Sequence, residues 1–181
     1  QMSTIQTIPT ISDATLQASA AFNLYSQSIP EHLFFQQPEG KWSPAQQTKH
    51  LITSTNMARL AFVLPGFMVR LIGGKPNRPS RSYDELVNRY HTKLAEGGQA
   101  SGRYIPKAIP ESTGREKWLR KYEQSMIKMA AAIGKIKNEA RLDQYLAPHP
   151  LLGKITLREL AYFTIYHSHH HLESIRKMTG G

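Results

Sequence analysis

The run from His167 to His171 (His-Ser-His-His-His) places four of the chain's eight histidines within five residues near the C-terminus. It lies inside a helical pattern of apolar residues that continues to Met178. On a helix, His167 and His171 are one turn apart on the same face, so their imidazoles can bind one metal ion when a third ligand comes from elsewhere. The chain has no cysteine, which leaves histidine and carboxylate as the available metal ligands.

His50 is a candidate for the third ligand, because it lies on a separate predicted helix. Helical bundles build metal sites from side chains on facing helices, and neutral imidazole suits zinc, nickel, copper and iron. Three protein ligands leave a position for water or substrate, as in catalytic zinc sites. Ser168 follows His167, so the His-Glu-x-x-His motif of metalloproteases is absent. The spacing of His167 and His171 alone fits metal ligands and hydrogen-bonded structural histidines equally well.

The remaining histidines have no spacing that would pair them with another metal ligand. We expect His32, His91 and His149 to lie at the surface and His169 to be exposed, whereas His170 borders the apolar stripe of the last helix. Trp42, Tyr162 and Tyr166 are predicted to be packing residues.

The length and charge of the chain bound its class. With 181 residues the chain can bury one sizeable core, and we expect a single domain over residues 1–181. Much of the net charge of +10 comes from the segment between Ser101 and Arg141, which has ten Lys and Arg against four Glu. Such an excess is typical either of a protein that binds a polyanion or of a solvated helix face. No arginine-rich arm accompanies the charge, which favours the solvated face.

No secretory or membrane-spanning segment is predicted. Residues Gln1 to Ser12 lack a basic region followed by an apolar one, which argues against a signal peptide. The best apolar stretch, Ala58 to Ile72, is interrupted by Arg59, Pro65 and Arg70 and is too short to span a bilayer. We therefore expect a cytoplasmic protein.

The elements that must position the histidines are helical. Alternating β-branched runs and hairpin turn signals are absent from the sequence, and long helical patterns alternate with Pro- and Gly-rich loops. Helices are predicted over residues 12–29, 43–64, 82–95, 112–136 and 156–178, with shorter helical pieces near residues 31–37, 67–72 and 138–146. Ser43 with Gln46 and Thr156 with Glu159 form capping boxes. The four longest of these helices, with the shorter ones between them, indicate a four-helix bundle with at least one long crossover connection.

Two segments resemble the DinB/YfiT-like superfamily of metal-dependent proteins. The segment Trp42–Leu51 (WSPAQQTKHL) is similar to the start of the second helix in that family. The segment Thr156–Ile175, with Thr-Leu-Arg-Glu-Leu followed by His-x-x-x-His-Leu-x-x-Ile, is similar to its last helix. The order of the histidines, one on helix two and two on the last long helix, also fits.

This resemblance implies an all-α, up-down-down-up four-helix bundle with short accessory helices, often dimeric, and a three-histidine site for a divalent nickel or zinc ion. Carried onto this sequence, the ligands are His50, His167 and His171, with His170 as an alternative if the register of the last helix shifts. Some relatives are thiol-dependent S-transferases that use bacillithiol or mycothiol, and one branch isomerises maleylpyruvate.

The predicted function is therefore that of a metal-dependent transferase or hydrolase acting on a small molecule, with a low-molecular-weight thiol as a candidate cofactor and a homodimer as the expected assembly. No catalytic acid or base is identified. The alternative is a non-enzymatic helical module that contacts a polyanion, such as nucleic acid, through the basic middle region.

Overall fold

The computed structural model describes residues 5–180, so four residues of the segment Gln1–Ser12 that was searched for a signal peptide lie outside the described residues. Within this range the chain forms eight α-helices, two short 3-10 turns and one β-hairpin. The helices are α1 (Ile8–Ser28), α2 (Glu31–Phe35), α3 (Pro44–Val63), α4 (Gly66–Gly73), α5 (Tyr83–Ala95), α6 (Arg115–Gly134), α7 (Arg141–Gln144) and α8 (Leu157–Thr179). The strands are β1 (Leu146–His149) and β2 (Gly153–Thr156).

The four long helices α1, α3, α6 and α8 form the predicted bundle. Helix α1 packs on α6 and α8, and α3 packs on the same two helices, so α1 and α3 lie across a diagonal. Pairs of contacts at different positions along the helices give their directions: α8 runs parallel to α1, whereas α6 is antiparallel to α1 and α3 is antiparallel to α8. These contacts are Ile5–Tyr162 and Tyr25–Thr179 for α1 and α8, Ser12–Ala130 and Asn23–Leu119 for α1 and α6, and Gln47–Met178 and His50–His167 for α3 and α8. The order is up-down-down-up, as expected.

Local capping explains where the two histidine-bearing helices begin. The side chain of Ser43 accepts a hydrogen bond from the backbone of Gln46, whose own side chain accepts from the backbone of Ser43. Thr156 and Glu159 form the same reciprocal pair at the start of α8. Both capping boxes satisfy backbone donors that the first helical turn leaves free.

Two predicted helix starts were wrong by one turn. Helix α1 begins at Ile8, because Thr7 and Thr10 form its capping box, and the Ser12 hydroxyl donates instead to the carbonyl of Ala130 on α6. Helix α6 begins at Arg115 rather than at residue 112, because a 3-10 turn over Glu111–Thr113 precedes it.

The hairpin before α8 contradicts the expectation that no strands would form. Strands β1 and β2 pair antiparallel, from Leu146 opposite Thr156 to His149 opposite Gly153. The sheet has two strands only, so each is an edge strand and can accommodate Pro148 without an unmade ladder bond. Gly153 has a φ of +72°, which favours glycine at the turn. The hairpin leads directly into α8 and holds His149 beside that helix.

A buried ion cluster joins the segment before α5 to the start of α8. Glu159 is completely buried and accepts hydrogen bonds from Arg78 at 2.9 and 3.1 Å and from Arg81 at 2.8 Å. These contacts lower the pKa of the Glu159 carboxyl despite the opposing effect of burial. The segment before α5 is thereby fixed on the first turn of α8.

Helix α3 ends before Pro65, and α4 continues in a different direction. Among residues 5–180 no single helix is long and apolar enough to cross a membrane; α3 and α4 together pass by length and composition, but the pair is bent by 117°.

Candidate metal centre

His50 from α3 meets His167 and His171 from α8 inside the bundle. The Nε2 atom of His50 lies 3.0 Å from Nε2 of His167, and Nε2 of His171 lies 3.1 Å from the same atom. All three side chains are buried, with residue exposures of 8%, 4% and 8% in that order. One ligand atom from each lies within 4.8 Å of the others, so the three could hold a metal ion.

The outer nitrogens of two of these rings are held by oxygen acceptors. Nδ1 of His50 is 2.7 Å from the carbonyl oxygen of Tyr104, and Nδ1 of His171 is 2.8 Å from Oε1 of Gln47. A carbonyl oxygen only accepts hydrogen bonds, so both Nδ1 atoms carry the proton. His50 and His171 therefore direct an Nε2 lone pair toward His167.

The protons of three neutral rings cannot give every one of these Nε2 atoms a hydrogen-bond partner. A neutral His167 offers one N–H, which can donate to Nε2 of only one of the other two rings and leaves the Nε2 lone pair of the third ring without a donor. A divalent cation at the common point would accept a lone pair from all three rings. Nitrogens around a tetrahedral zinc ion lie about 3.3 Å apart because Zn–N bonds measure about 2.0–2.1 Å. The observed separations of 3.0 and 3.1 Å differ from that value by a few tenths of an ångström.

Burial keeps the three imidazoles in the neutral form that binds metals. It lowers the pKa of His167 and His171 well below the usual 6.5, and the neighbouring histidines lower both pKa values further. Burial also lowers the pKa of His50, although the hydrogen bond to the Tyr104 carbonyl acts in the opposite direction.

The other two histidines of the run do not join the group. His170 is half-buried, with its ring edge-on to Tyr90 at a centroid distance of 5.7 Å, so the structure brings His171 and not His170 to His50. His169 is half-buried, and the prediction that it is exposed was wrong. His32 and His91 are exposed, as predicted.

A cavity of about 420 Å³ opens beside the three histidines. Side chains of α3, α4, α5, the hairpin and α8 line it, and most of them are apolar. None of the described residues that line this cavity is Asp, Glu, Lys or Arg. The apolar side chains of the lining include Met57, Ala58, Ala61, Leu146 and Phe163.

His149 belongs to this cavity wall, so the prediction that it lies at the surface was wrong. Its Nδ1 accepts hydrogen bonds from the backbone N–H groups of Leu151 and Leu152, at 3.2 and 3.1 Å. The proton of the neutral ring is therefore on Nε2. The ring packs on Phe163 at 4.2 Å between centroids, and Phe163 stacks on His167 at 4.7 Å. Burial lowers the pKa of His149 to about 4, so the ring is neutral at pH 7.

A known protein family matches most of the chain. Residues 11–175 match the model of the DinB superfamily. The chain belongs to the DinB superfamily. The matched range includes both motif segments and all three histidines of the group. No curated protein matches the chain with significant similarity.

Two residues that hold the histidines in this DinB-superfamily bundle were missed by sequence reasoning. Gln47 lies one helical turn before His50 on α3, and that spacing was a signal that could have identified it. Tyr104 lies in a 3-10 turn of the long loop between α5 and α6 and contributes its backbone carbonyl, which no side-chain pattern reveals. The packing predicted for Trp42 is confirmed, since its ring lies 5.0 Å from that of His50.

Proposed function

We propose that this DinB-superfamily protein binds one divalent metal ion, nickel or zinc, through Nε2 of His50, His167 and His171. We propose further that it acts as a metal-dependent transferase or hydrolase on a small molecule. The observation that supports the site is the convergence of three buried Nε2 atoms, two of them oriented by acceptors on Gln47 and Tyr104.

A divalent ion in this position supplies a Lewis acid that lowers the pKa of a water or thiol bound to it. The chain's own residues provide the rest of the site. The acceptors behind His50 and His171 keep their lone pairs directed inward, as outer contacts do in other histidine metal sites. The apolar cavity limits water and gives a substrate access to the same three side chains.

The thiol and the assembly come from the family resemblance. A low-molecular-weight thiol is the cosubstrate we propose for a transferase, and a homodimer in the cytoplasm is the form we propose for the working protein. Light scattering during size-exclusion chromatography tests the dimer, and a mass that corresponds to one chain would contradict it.

Elemental analysis of tag-free protein tests the metal site. The wild type is compared with His50→Ala and with His32→Ala, which replaces an exposed histidine as the matched control. We expect about one metal ion per chain in the wild type and the control, and loss of that ion in His50→Ala, because ligands on two helices bind together only in the folded bundle. Wild-type protein that binds neither zinc nor nickel after incubation would contradict the proposal.

A second candidate function is supported by a separate observation. Of the ten Lys and Arg between residues 101 and 141, only Arg115 and Arg141 are partly buried, and the other eight are exposed. An exposed basic surface of this kind suits a polyanion such as nucleic acid. Retention on DNA or RNA that falls steeply with salt concentration would support this function, whereas metal-dependent and salt-insensitive activity would favour the first.

A further inference from the structure

The residues that line the cavity beside the histidines indicate which kind of molecule it can hold. We propose that it binds an uncharged, mostly apolar molecule that bears a hydrogen-bond acceptor, and that the Nε2–H group of His149 donates to that acceptor. The proposal deepens the proposed function, on which it rests in treating the cavity as the substrate site.

The charge of the cavity lining limits what the cavity can hold. The chain has 23 Lys and Arg and 13 Asp and Glu, yet none of the described lining residues is charged. A charged group placed away from the three histidines would have apolar walls around it and no opposite charge beside it, which is costly. The body of the ligand, beyond the atoms that reach the histidines, must therefore be uncharged.

The cavity has room for a small molecule. A volume of about 420 Å³ lies within the range that holds small-molecule ligands. Two alanines on α3, Ala58 and Ala61, belong to the lining, and they stand where larger apolar side chains would occupy the cavity. Aromatic and aliphatic walls such as Phe163 and Met57 favour flat or branched apolar groups.

His149 presents a hydrogen-bond donor at the cavity wall. Two backbone N–H groups bind its Nδ1, so its Nε2 carries a proton, and that N–H has no hydrogen-bond partner among residues 5–180. Two hydroxyls of the wall already have partners: that of Thr164 donates to the carbonyl of Leu160, and that of Thr55 to the sulfur of Met126. His149 therefore offers a fixed donor, separated from His167 by the ring of Phe163.

Three fluorescent probes separate the parts of the proposal. N-phenyl-1-naphthylamine is uncharged and lacks a carbonyl group. 8-Anilinonaphthalene-1-sulfonate has the same rings and adds one negative charge. Prodan is an uncharged naphthalene that carries a ketone oxygen. Each is titrated into the full chain as purified and again after metal removal by a chelator, at physiological salt so that the surface charge of the protein is screened.

We expect both uncharged probes to bind at one site per chain and the sulfonate to bind at least about tenfold more weakly, because the walls offer it no counter-charge. Ala58→Phe and Ala61→Phe fill the cavity and should each weaken the uncharged probes about tenfold, the equivalent of losing one well-packed apolar contact. Ala131→Phe, at an exposed position of α6, is the matched control and should leave binding unchanged. Thermal unfolding identifies which of the two cavity variants is folded and can be interpreted.

His149→Asn tests the donor. The shorter amide can still accept from the turn in place of Nδ1, but it has no group at the position of Nε2. Prodan should bind about fivefold more weakly to this variant, the effect of one neutral hydrogen bond, whereas N-phenyl-1-naphthylamine should bind as before.

Equal affinity for the sulfonate and its uncharged parent, with both sensitive to Ala58→Phe, would overturn the assignment of an uncharged ligand. Equal losses for prodan and N-phenyl-1-naphthylamine in His149→Asn would overturn the role of His149. The failure of the metal proposal would look different: the chain would bind no zinc or nickel, while the probes would still bind the cavity of the metal-free protein.

Discussion

Replacement of Gln47 by Met should weaken metal binding without removing a ligand. Oε1 of Gln47 accepts the hydrogen bond from Nδ1 of His171 at 2.8 Å, and the Gln47 amide nitrogen also contacts the carbonyl of Trp42 and the sulfur of Met178. Gln47 is 3% exposed and His171 is 8% exposed, so water has little access to replace the amide. Methionine preserves the length of the side chain and removes the acceptor.

The magnitude follows from the two states of His171. Without metal, the His171 ring of the variant can carry its proton on Nε2 instead of Nδ1 and donate it to His167. His171 then has no N–H group without an acceptor. With metal bound, Nε2 must keep its lone pair, and the buried Nδ1–H remains without a partner. An unsatisfied buried donor costs about 1–3 kcal/mol, and loss of an outer contact to a metal ligand lowers affinity about 10–100-fold. We expect a loss of affinity in that range.

Competition for zinc against a chromophoric chelator measures this loss. Gln47→Glu should bind zinc at least as tightly as the wild type, because a carboxylate is a stronger acceptor for the Nδ1–H group. Gln124→Met, at an exposed position on α6, controls for the change of residue type. If folded Gln47→Met bound zinc as tightly as the wild type, the orientation of His171 by this amide would have no part in metal affinity.

Three other changes have defined effects. Glu159→Gln should lower the free energy of unfolding by about 2–4 kcal/mol in urea, because it breaks a buried ion cluster whose Arg78 and Arg81 keep some solvent contact, and an unchanged midpoint would contradict this. Ser43→Ala should cost about 1 kcal/mol through loss of the α3 cap, with a matching fall in the thermal midpoint. The folded-state pKa of His149, about 4, lies below its unfolded value of about 6.5, so the unfolded chain binds more protons between these pH values and stability falls as pH falls from 6.5 to 4. His149→Asn should reduce the loss of stability between pH 6.5 and pH 4 by about 2.5 kcal/mol in urea unfolding, and an unaltered slope would refute the assignment.

The helices that carry the site were predictable because their starting signals are local. Ser43 with Gln46 and Thr156 with Glu159 lie within one helical turn of each other, and the structure has both capping boxes. The predicted start of α1 was wrong because serine is a residue type that often caps helices, whereas the Ser12 hydroxyl donates to the carbonyl of Ala130 on another helix. A contact 118 residues away leaves no mark in a local pattern.

The histidine group was likewise predictable in part from local spacing and in part only from contacts distant in sequence. The pair His167 and His171 follows from helical spacing, and His50 was a candidate because it lies on a separate predicted helix, whereas the assignment of all three as metal ligands needed the family resemblance. Position alone could not place His149, because its burial depends on the hairpin that folds it against Phe163. The two prolines around His149 argue against strands in any local reading, and only the pairing of β1 with β2 overrides them.

The contacts that orient the site connect parts of the chain that are far apart in sequence. Three short contacts join α3 to the loop before α6 and to α8: His50 with Tyr104, His50 with His167, and Gln47 with His171. The arrangement of lone pairs therefore exists only after the bundle has formed, and an ion that binds it binds the folded state alone. Such an ion stabilises the fold by mass action, about 2.7 kcal/mol at a free concentration 100 times its Kd. For the same reason, a change that loosens the loop at Tyr104 should weaken metal binding even though that residue contributes no ligand atom.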